Sequence, residues 1–319
     1  MSTYRTTSSR GFTLVEMARV LLILGLALGM VLNMTSGMRD AQNRLLVQSK
    51  LNALDAALAN FVAQNKRLPC PANGTIASGA ANAGIENPFP ATGVCSPVAQ
   101  TYGVIPWVTL GLTEDDATDP WSGRMTYRVD PVLSQIAPLL MDMSNCDPSS
   151  NGAVGAGGTC KAPALPCTGV AGCTSPVNFL TFATGKGLDV WDGVNGAAGW
   201  AARQNNRAAG TGAAYVIISH GPTGAGAYNK NGAGAPLFTT QPGTLSIPNP
   251  APPPPILPGG NDEIPNFNGR NIAIPSAQAT TYRAAALNDR PTQIHFDDYL
   301  SHPTIMAVLT KANLGPRAH

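Results

Sequence analysis

The chain has 319 residues, a formal net charge of +2 and only 12% charged side chains, with 34 glycines and 28 prolines. So weak a positive balance, with no Lys/Arg cluster interleaved with aromatics, speaks against a nucleic-acid-binding surface. A 44% hydrophobic content excludes a disordered chain. It predicts a loop-rich domain closer to exported β-rich proteins than to cytosolic enzymes.

Residues 1–11 carry Arg5 and Arg10 and no acid, which keeps this leader on the cytoplasmic side of a membrane. Residues 12–33 are apolar except for Thr13, Glu16, Arg19 and Asn33, and about 20 such residues are enough to cross a bilayer. A carboxylate inside an apolar span costs about 2.5–3.5 kcal/mol and is normally paired and functional. Arg19 follows Glu16 by three residues on the same helical face, so the two either pair within the helix or share a cluster with a neighbouring subunit. Ordinary secretory signals are cut after the apolar core. Here the small residue, Gly11, lies in front of it, and a cut at Gly11–Phe12 would keep the apolar helix.

The run Arg10-Gly11-Phe12-Thr13-Leu14-Val15-Glu16 resembles the class III leader of type IV pilins and type II secretion pseudopilins, over roughly the first 35 residues. The resemblance implies cleavage by a prepilin peptidase after Gly11, N-methylation of Phe12, and pairing of Glu16 with the terminal amine of a neighbouring subunit, which sets the assembly register. Arg19 departs from the family pattern. So does Asn33, where major pilins often carry a kinking proline; a helix softened by Gly25, Gly29 and Gly37 looks more like pseudopilins and minor pilins.

Residues 34–68 continue the same helix. Val47, Leu51, Leu54, Leu58 and Phe61 or Val62 recur at spacings of three and four, the mark of a one-sided apolar stripe. Lys66-Arg67 in the last turn and Pro69 beyond it end the helix. From Phe12 it would run about 55 residues, or about 80 Å.

Residues 69–319 form the globular part. Six cysteines lie here, Cys70, Cys95, Cys146, Cys160, Cys167 and Cys173, and an even number in an exported chain favours disulfides over zinc. Their connectivity is open, although Cys70 and Cys95 can close their own loop. The other four fall in a glycine-rich insertion at 145–175. Residues 102–110 read as a strand demoted by Pro106, and 124–129 as a strand following the turn Asp119-Pro120-Trp121-Ser122-Gly123. That turn, and the Leu68-Pro69-Cys70-Pro71-Ala72 segment, are similar to stretches of pseudopilins and other prepilin-type proteins. A short helix at 131–143, strands at 177–182 and 214–219, a proline-rich spacer at 241–260, a closing strand at 294–299 and a terminal helix at 304–314 complete the reading.

Chemistry is sparse. Gly185-Lys186-Gly187 lacks the spacing of a phosphate loop, and Ser219-His220-Gly221 is a strand end rather than a nucleophile elbow. His295 and Asp297 would share one face of a strand with Asp298 on the other, an arrangement read as a structural hydrogen bond. Calcium is the one cofactor weighed, with Asp189, Asp192 and Asn195 or the run from Glu114 to Asp119 as weak candidates that match no calcium-loop pattern. Trp107, Trp121, Trp191 and Trp200 read as packing residues.

The resemblance implies an α+β, type IV pilin-like fold, with a long N-terminal α-helix packed on an antiparallel β-sheet and long disulfide-stapled loops. It implies a non-enzymatic structural subunit, a minor pilin or pseudopilin. The partners implied are the prepilin peptidase, other pilin subunits, the inner membrane and an assembly platform, with no nucleic acid. The chain would be a single-pass inner-membrane protein that passes into a periplasmic or cell-surface filament. The alternative is an exported soluble binding or adhesive protein with an ordinary signal cut after Gly29.

Overall fold

The computed structural model describes residues 14–87, 95, 102–135, 141–143, 183–192, 203–224, 226–232, 263, 266, 281–287 and 296–315, without the side chains at 27, 28, 30–37 and 281. The chain divides into two compact units, Met1–Leu46 and Val47–His319. Helix α1 (Leu14–Asn65) contributes its first part to the former and its second to the latter. In the first unit the described apolar side chains are exposed, from Leu14 at 88% through Leu21, Leu22 and Ile23 at 64% each. Among the described residues no helix is long and apolar enough to cross a membrane. The expected span 12–33 falls partly outside those residues.

In the second unit the apolar stripe does what its spacing dictates. Val47, Leu51, Leu54, Leu58 and Val62 are buried in one core, while Phe61 stays half-exposed beneath the Arg67 guanidinium at 5.1 Å. Full burial of each such side chain is worth about 1.5–3 kcal/mol. The helix ends at Asn65, where Lys66 takes a left-handed φ of 57° and still donates its N–H to the Val62 carbonyl.

Five strands make the larger sheet in the order β1 (Ala72–Asn73), β2 (Gly103–Val104), β3 (Thr126–Val129), β6 (Tyr215–Ser219), β8 (Tyr299–Ser301), every pair antiparallel. A smaller sheet has the order β5 (Arg203–Asn205), β4 (Asp189–Asp192), β7 (Thr281–Ala284). There β4 runs antiparallel to β5, with a bulge at Val190/Trp191, and parallel to β7. Strand β6 explains why both exist. Its alternate residues Tyr215 and Ile217 enter the core that holds the α1 stripe. Val216 and Ile218 enter a second core with Leu188, Val190, Ala213 and Tyr282. A strand buried on both faces needs an unbroken apolar run, which Tyr215–Ile218 supplies. Helix α2 (Ile305–Lys311) is capped by Thr304, whose hydroxyl accepts the Ala307 N–H, and sends Ile305, Val308 and Leu309 into the first core.

The expected architecture is corrected on two counts. The helix is not one element of the globular part: it is divided between the two units, with residues 14–26 exposed in the first and the stripe from Val47 buried in the core of the second. An all-round apolar surface has no side that prefers a domain, whereas the stripe from Val47 to Val62 has one. Nor is there one antiparallel sheet, because the second face of β6 requires a second sheet, and that sheet is mixed. Smaller differences follow from local chemistry. The 102–110 strand shrinks to Gly103–Val104, since Pro106 has no N–H to donate and the chain turns at 107–111. Of the stretch expected as a helix at 131–143, the described residues hold a 3₁₀ turn, Pro131–Ser134, capped by Asp130, and 136–140 lie outside the described residues. The last strand starts at Tyr299 rather than 294. The strand expected at 177–182, the 145–175 insertion and the 241–260 spacer lie outside the described residues.

Leu58→Ala should lower the stability of the folded chain by about 2–5 kcal/mol, because its site is fully buried and walled by both helix and sheet. Phe61→Ala, on the half-exposed side, should cost clearly less in the same urea titration.

Candidate functional site

Two regions carry chemistry, the exposed N-terminal stretch of α1 and a buried polar layer at the far ends of β6 and β8.

In the first, Glu16 stands in the opening turn of α1, where the N-terminal end of the helix dipole favours an acid. Glu16 and Arg19 are both exposed, flanked by exposed Leu14, Val15, Met17 and Val20. Gly11 and Phe12 lie outside the described residues.

Farther along, polar contacts fix the helix to the body. The buried Asp55 carboxylate accepts hydrogen bonds from Tyr215 Oη at 2.8 Å and Ser301 Oγ at 2.7 Å, tying α1 to β6 and β8. Burial, reinforced by the Asp55 charge, holds the Tyr215 phenol well above its usual range. Lys50 Nζ donates to the carbonyls of Asp115 at 2.6 Å and Thr118 at 2.8 Å. The acidic run Glu114-Asp115-Asp116 is thus met by cations of this chain. Arg124, fully buried, pairs with Glu114 at 2.8 Å, donates to the carbonyls of Gly74 and Ile76, and lies 5.1 Å over the Trp107 ring. Gly84 is required beneath that ring: its φ is +70°, and a Cβ there would come within 2.1 Å of Trp107.

Of the remaining tryptophans, Trp121 stacks on Tyr299 at 6.0 Å and Trp191 lies 4.4 Å beneath the Arg203 guanidinium; Trp200 is outside the described residues. Cys70 and Cys95 form a disulfide, the pair that sequence separation alone left open, and the other four cysteines are outside the described residues. Asp189 accepts the Arg207 N–H at 2.8 Å and lies 3.8 Å from Arg203. Asp192 lines an open cavity of about 380 Å³ with Gln48, Gln204 and Tyr299, and Asn195 is outside the described residues.

The second region brings together what sequence spacing kept apart. Glu263, Asp297 and Asp298 are buried with carboxylate oxygens all within 4.8 Å of one another, the one such group of three among the described residues. Asp297 and Asp298 were expected on opposite faces of a strand. They precede β8 in irregular backbone, so both carboxylates turn to the same cluster. His295 is outside the described residues. Protein donors fill the cluster. Asp297 accepts from the Thr223 N–H at 2.8 Å and Thr223 Oγ1 at 3.0 Å, and its own N–H donates to Glu263 at 2.5 Å. Asp298 accepts from Asn266 Nδ2 at 2.7 Å and faces His220 Nδ1 at 3.4 Å, while His220 Nε2 meets Thr126 Oγ1 at 2.7 Å. Burial first, then the charges of Asp298 and Asp297, pushes the Glu263 carboxyl up to about 10. Burial likewise raises Asp298, against the pull of His220, and raises Asp119, which accepts from Ser219 Oγ at 2.9 Å. Nothing in the residues around Glu263 marked it beforehand, since Asn261-Asp262-Glu263 reads as an ordinary polar tail to the proline-rich spacer. Ser219-His220-Gly221 ends β6 and opens a turn, as expected. Gly185-Lys186-Gly187 is a turn whose Gly187 N–H donates to Asp130 at 2.6 Å.

No family model, curated protein or solved structure matches this chain.

Arg124→Met should destabilise the protein by about 3–5 kcal/mol, because it strips a buried pair of its cation and two carbonyls of their donor. Glu114→Gln should cost less, since the amide oxygen can still accept from the Arg124 guanidinium and the carbonyls of Gly74 and Ile76 keep their donor. Urea midpoints of the two variants give the comparison.

Proposed function

We propose that this chain is a structural subunit, a minor pilin or pseudopilin, of a type IV pilus or type II secretion pseudopilus, assembled through its N-terminal helix. The observation that carries this reading is the acid Glu16 within an exposed apolar helical stretch, just behind the Gly11–Phe12 junction. A carboxylate in such a setting is worth keeping where a counter-charge arrives from elsewhere. The amine that cleavage exposes at Phe12 of a second subunit is of the right sign, and Arg19 is a competing or cooperating cation on the same helix face. On this reading a prepilin peptidase cuts and methylates at Phe12. Residues 12–33 then hold the subunit in the bacterial inner membrane until an assembly platform moves it into a periplasmic or cell-surface filament with other pilin subunits. The proposal rests on the N-terminal segment; the sheet architecture lends it no support.

The exposed apolar side chains add a physical reason. Leu14, Leu21, Leu22, Ile23, Leu24 and Leu26 are each more than half exposed, and a monomer in water rarely presents so continuous a surface without a bilayer or a partner to cover it. The globular part exceeds what dense repetition along a filament favours, which suits a low-abundance subunit.

Sequencing the mature amino terminus from the native envelope tests the reading. N-methylated Phe12 is the expected result. A chain beginning at Met30 would mean an exported soluble protein, and an uncut Met1 would remove the proposal. Given processing, Glu16→Ala should leave cleavage intact and reduce incorporation into filaments by at least about tenfold, scored by immunoblot of sheared filaments against membrane-retained subunit; a tenfold loss corresponds to about 1.4 kcal/mol of assembly free energy.

A further inference from the structure

Beside the second core, where Ala284 and Leu300 pack against it, lies the open cavity of about 380 Å³. That volume falls within the range of about 300–1,000 Å³ usual for small-molecule sites. Three elements contribute polar side chains to it: Gln48 from α1, Asp192 from the end of β4 and Gln204 from β5. What they offer is mainly acceptor oxygen. Gln204 Nε2 is already spent on the Ala284 carbonyl at 3.2 Å, which leaves Oε1 for an incoming donor. Asp192 is half-buried, and among the described residues no donor meets its carboxylate or the Gln48 carboxamide. Asp298 also reaches the lining, but Asn266 and His220 engage its carboxylate. No Lys, Arg or His is among the residues that line the cavity. Arg203 of β5 lies instead over Trp191, which alternates with Asp192 to the opposite face of β4. The remaining wall is aliphatic, with Ala285, Ala286 and the 39% exposed Leu287 following β7 and Leu300 coming from β8.

We propose that this cavity binds a primary alkylammonium group, whose N–H bonds go to Asp192, Gln204 Oε1 and Gln48 Oε1 while its methylene stem lies along Ala285, Ala286, Leu287 and Leu300. An ammonium brings three donors and no acceptor, the complement of a wall that has acceptors to give and one donor to spare, on Gln48. Its bond to Asp192 is charge-assisted, the stronger class of hydrogen bond. An aliphatic stem buries well on alanine and leucine while its charged head stays among polar groups. Other ligand chemistries fit worse. An anion meets the Asp192 carboxylate and no cation. A neutral hydroxyl leaves its own lone pairs short of donors. Calcium takes about six to eight oxygens, and one unengaged carboxylate with two amide oxygens supplies too few. The ammonium is carried either by a free diamine or by a lysine side chain of another protein. The site is independent of the N-terminal stretch of α1 and of any role in assembly.

The test is a titration of the full chain followed through the side-chain amide NMR signals of Gln48 and Gln204. Saturable shifts of both signals by 1,4-diaminobutane, and none by 1,4-butanediol at the same concentrations, are expected. Asp192→Asn preserves shape and removes the charge, and should weaken diamine binding by at least about tenfold, the loss of one hydrogen bond to a charged group. Should Asp192→Asn fail to fold, Gln48→Lys on the exposed face of α1 puts a like charge at the site and should weaken binding as much. An N-acetyl-lysine methylamide arm separates the sources: tighter binding than the diamine assigns the site to a lysine of another protein, and weaker binding to a free amine. Absence of a saturable shift with both amines, an equal response to the diol, shifts produced by calcium chloride in place of the amines, or undiminished binding in the variant would each overturn the proposal.

Discussion

The strand Tyr215–Ser219 must be covered on both faces, and the body of the protein is arranged around that requirement. One face takes the α1 stripe and helix α2, and the other takes the small mixed sheet. Its neighbours β3 and β8 fix its register by antiparallel pairing, with Tyr127 opposite Ile217 and Leu300 opposite Ile218. At its two ends the strand meets buried acids, Tyr215 bonding to Asp55 and Ser219 to Asp119. Between them three consecutive residues, Val216, Ile217 and Ile218, are fully buried. The two ends then differ in character. The first is a structural anchor for the helix, and the second opens onto the cluster of acids.

Much of this was legible because it depends on local pattern. The stripe from Val47 to Val62, the run Tyr215–Ile218, the terminal helix that follows Pro303 and the turn after Asp119 each owe their form to residues within a few positions of one another. What escaped depended on distance along the chain. No periodicity in β4, β5 or β7 announces a parallel pair between residues 189–192 and 281–284, about 90 positions apart. The acid cluster failed for the same reason. The sequence paired Asp297 with His295 and set Asp298 on the other face of a strand at 294–299, and Glu263 is brought to the two aspartates by tertiary contacts. At the N-terminal end the order of residues carries the reading: Gly11, Phe12 and Glu16 acquire meaning from what could be cut and what could be paired.

The two regions of interest use charge in opposite ways. Glu16 and Arg19 lie exposed on the first stretch of α1. Glu263, Asp297 and Asp298 face inwards and are answered by donors of the same chain. The acids of the 114–119 run are intermediate, with Lys50 bringing the helix to their carbonyls and Arg124 sitting inside them. A chain with few charges has placed many of its described ones where each holds two or more segments together.

Arg124 is the clearest instance. Its guanidinium gathers the carbonyls of Gly74 and Ile76, the hydroxyl of Ser78 and the carboxylate of Glu114, from loops with almost no regular structure. Loops normally yield to a protease long before a sheet does, because their backbones open alone. These cannot open alone without abandoning a buried cation. Nicking of the 74–87 and 113–123 stretches is therefore coupled to melting of the whole domain, and a limited digest would cut elsewhere first.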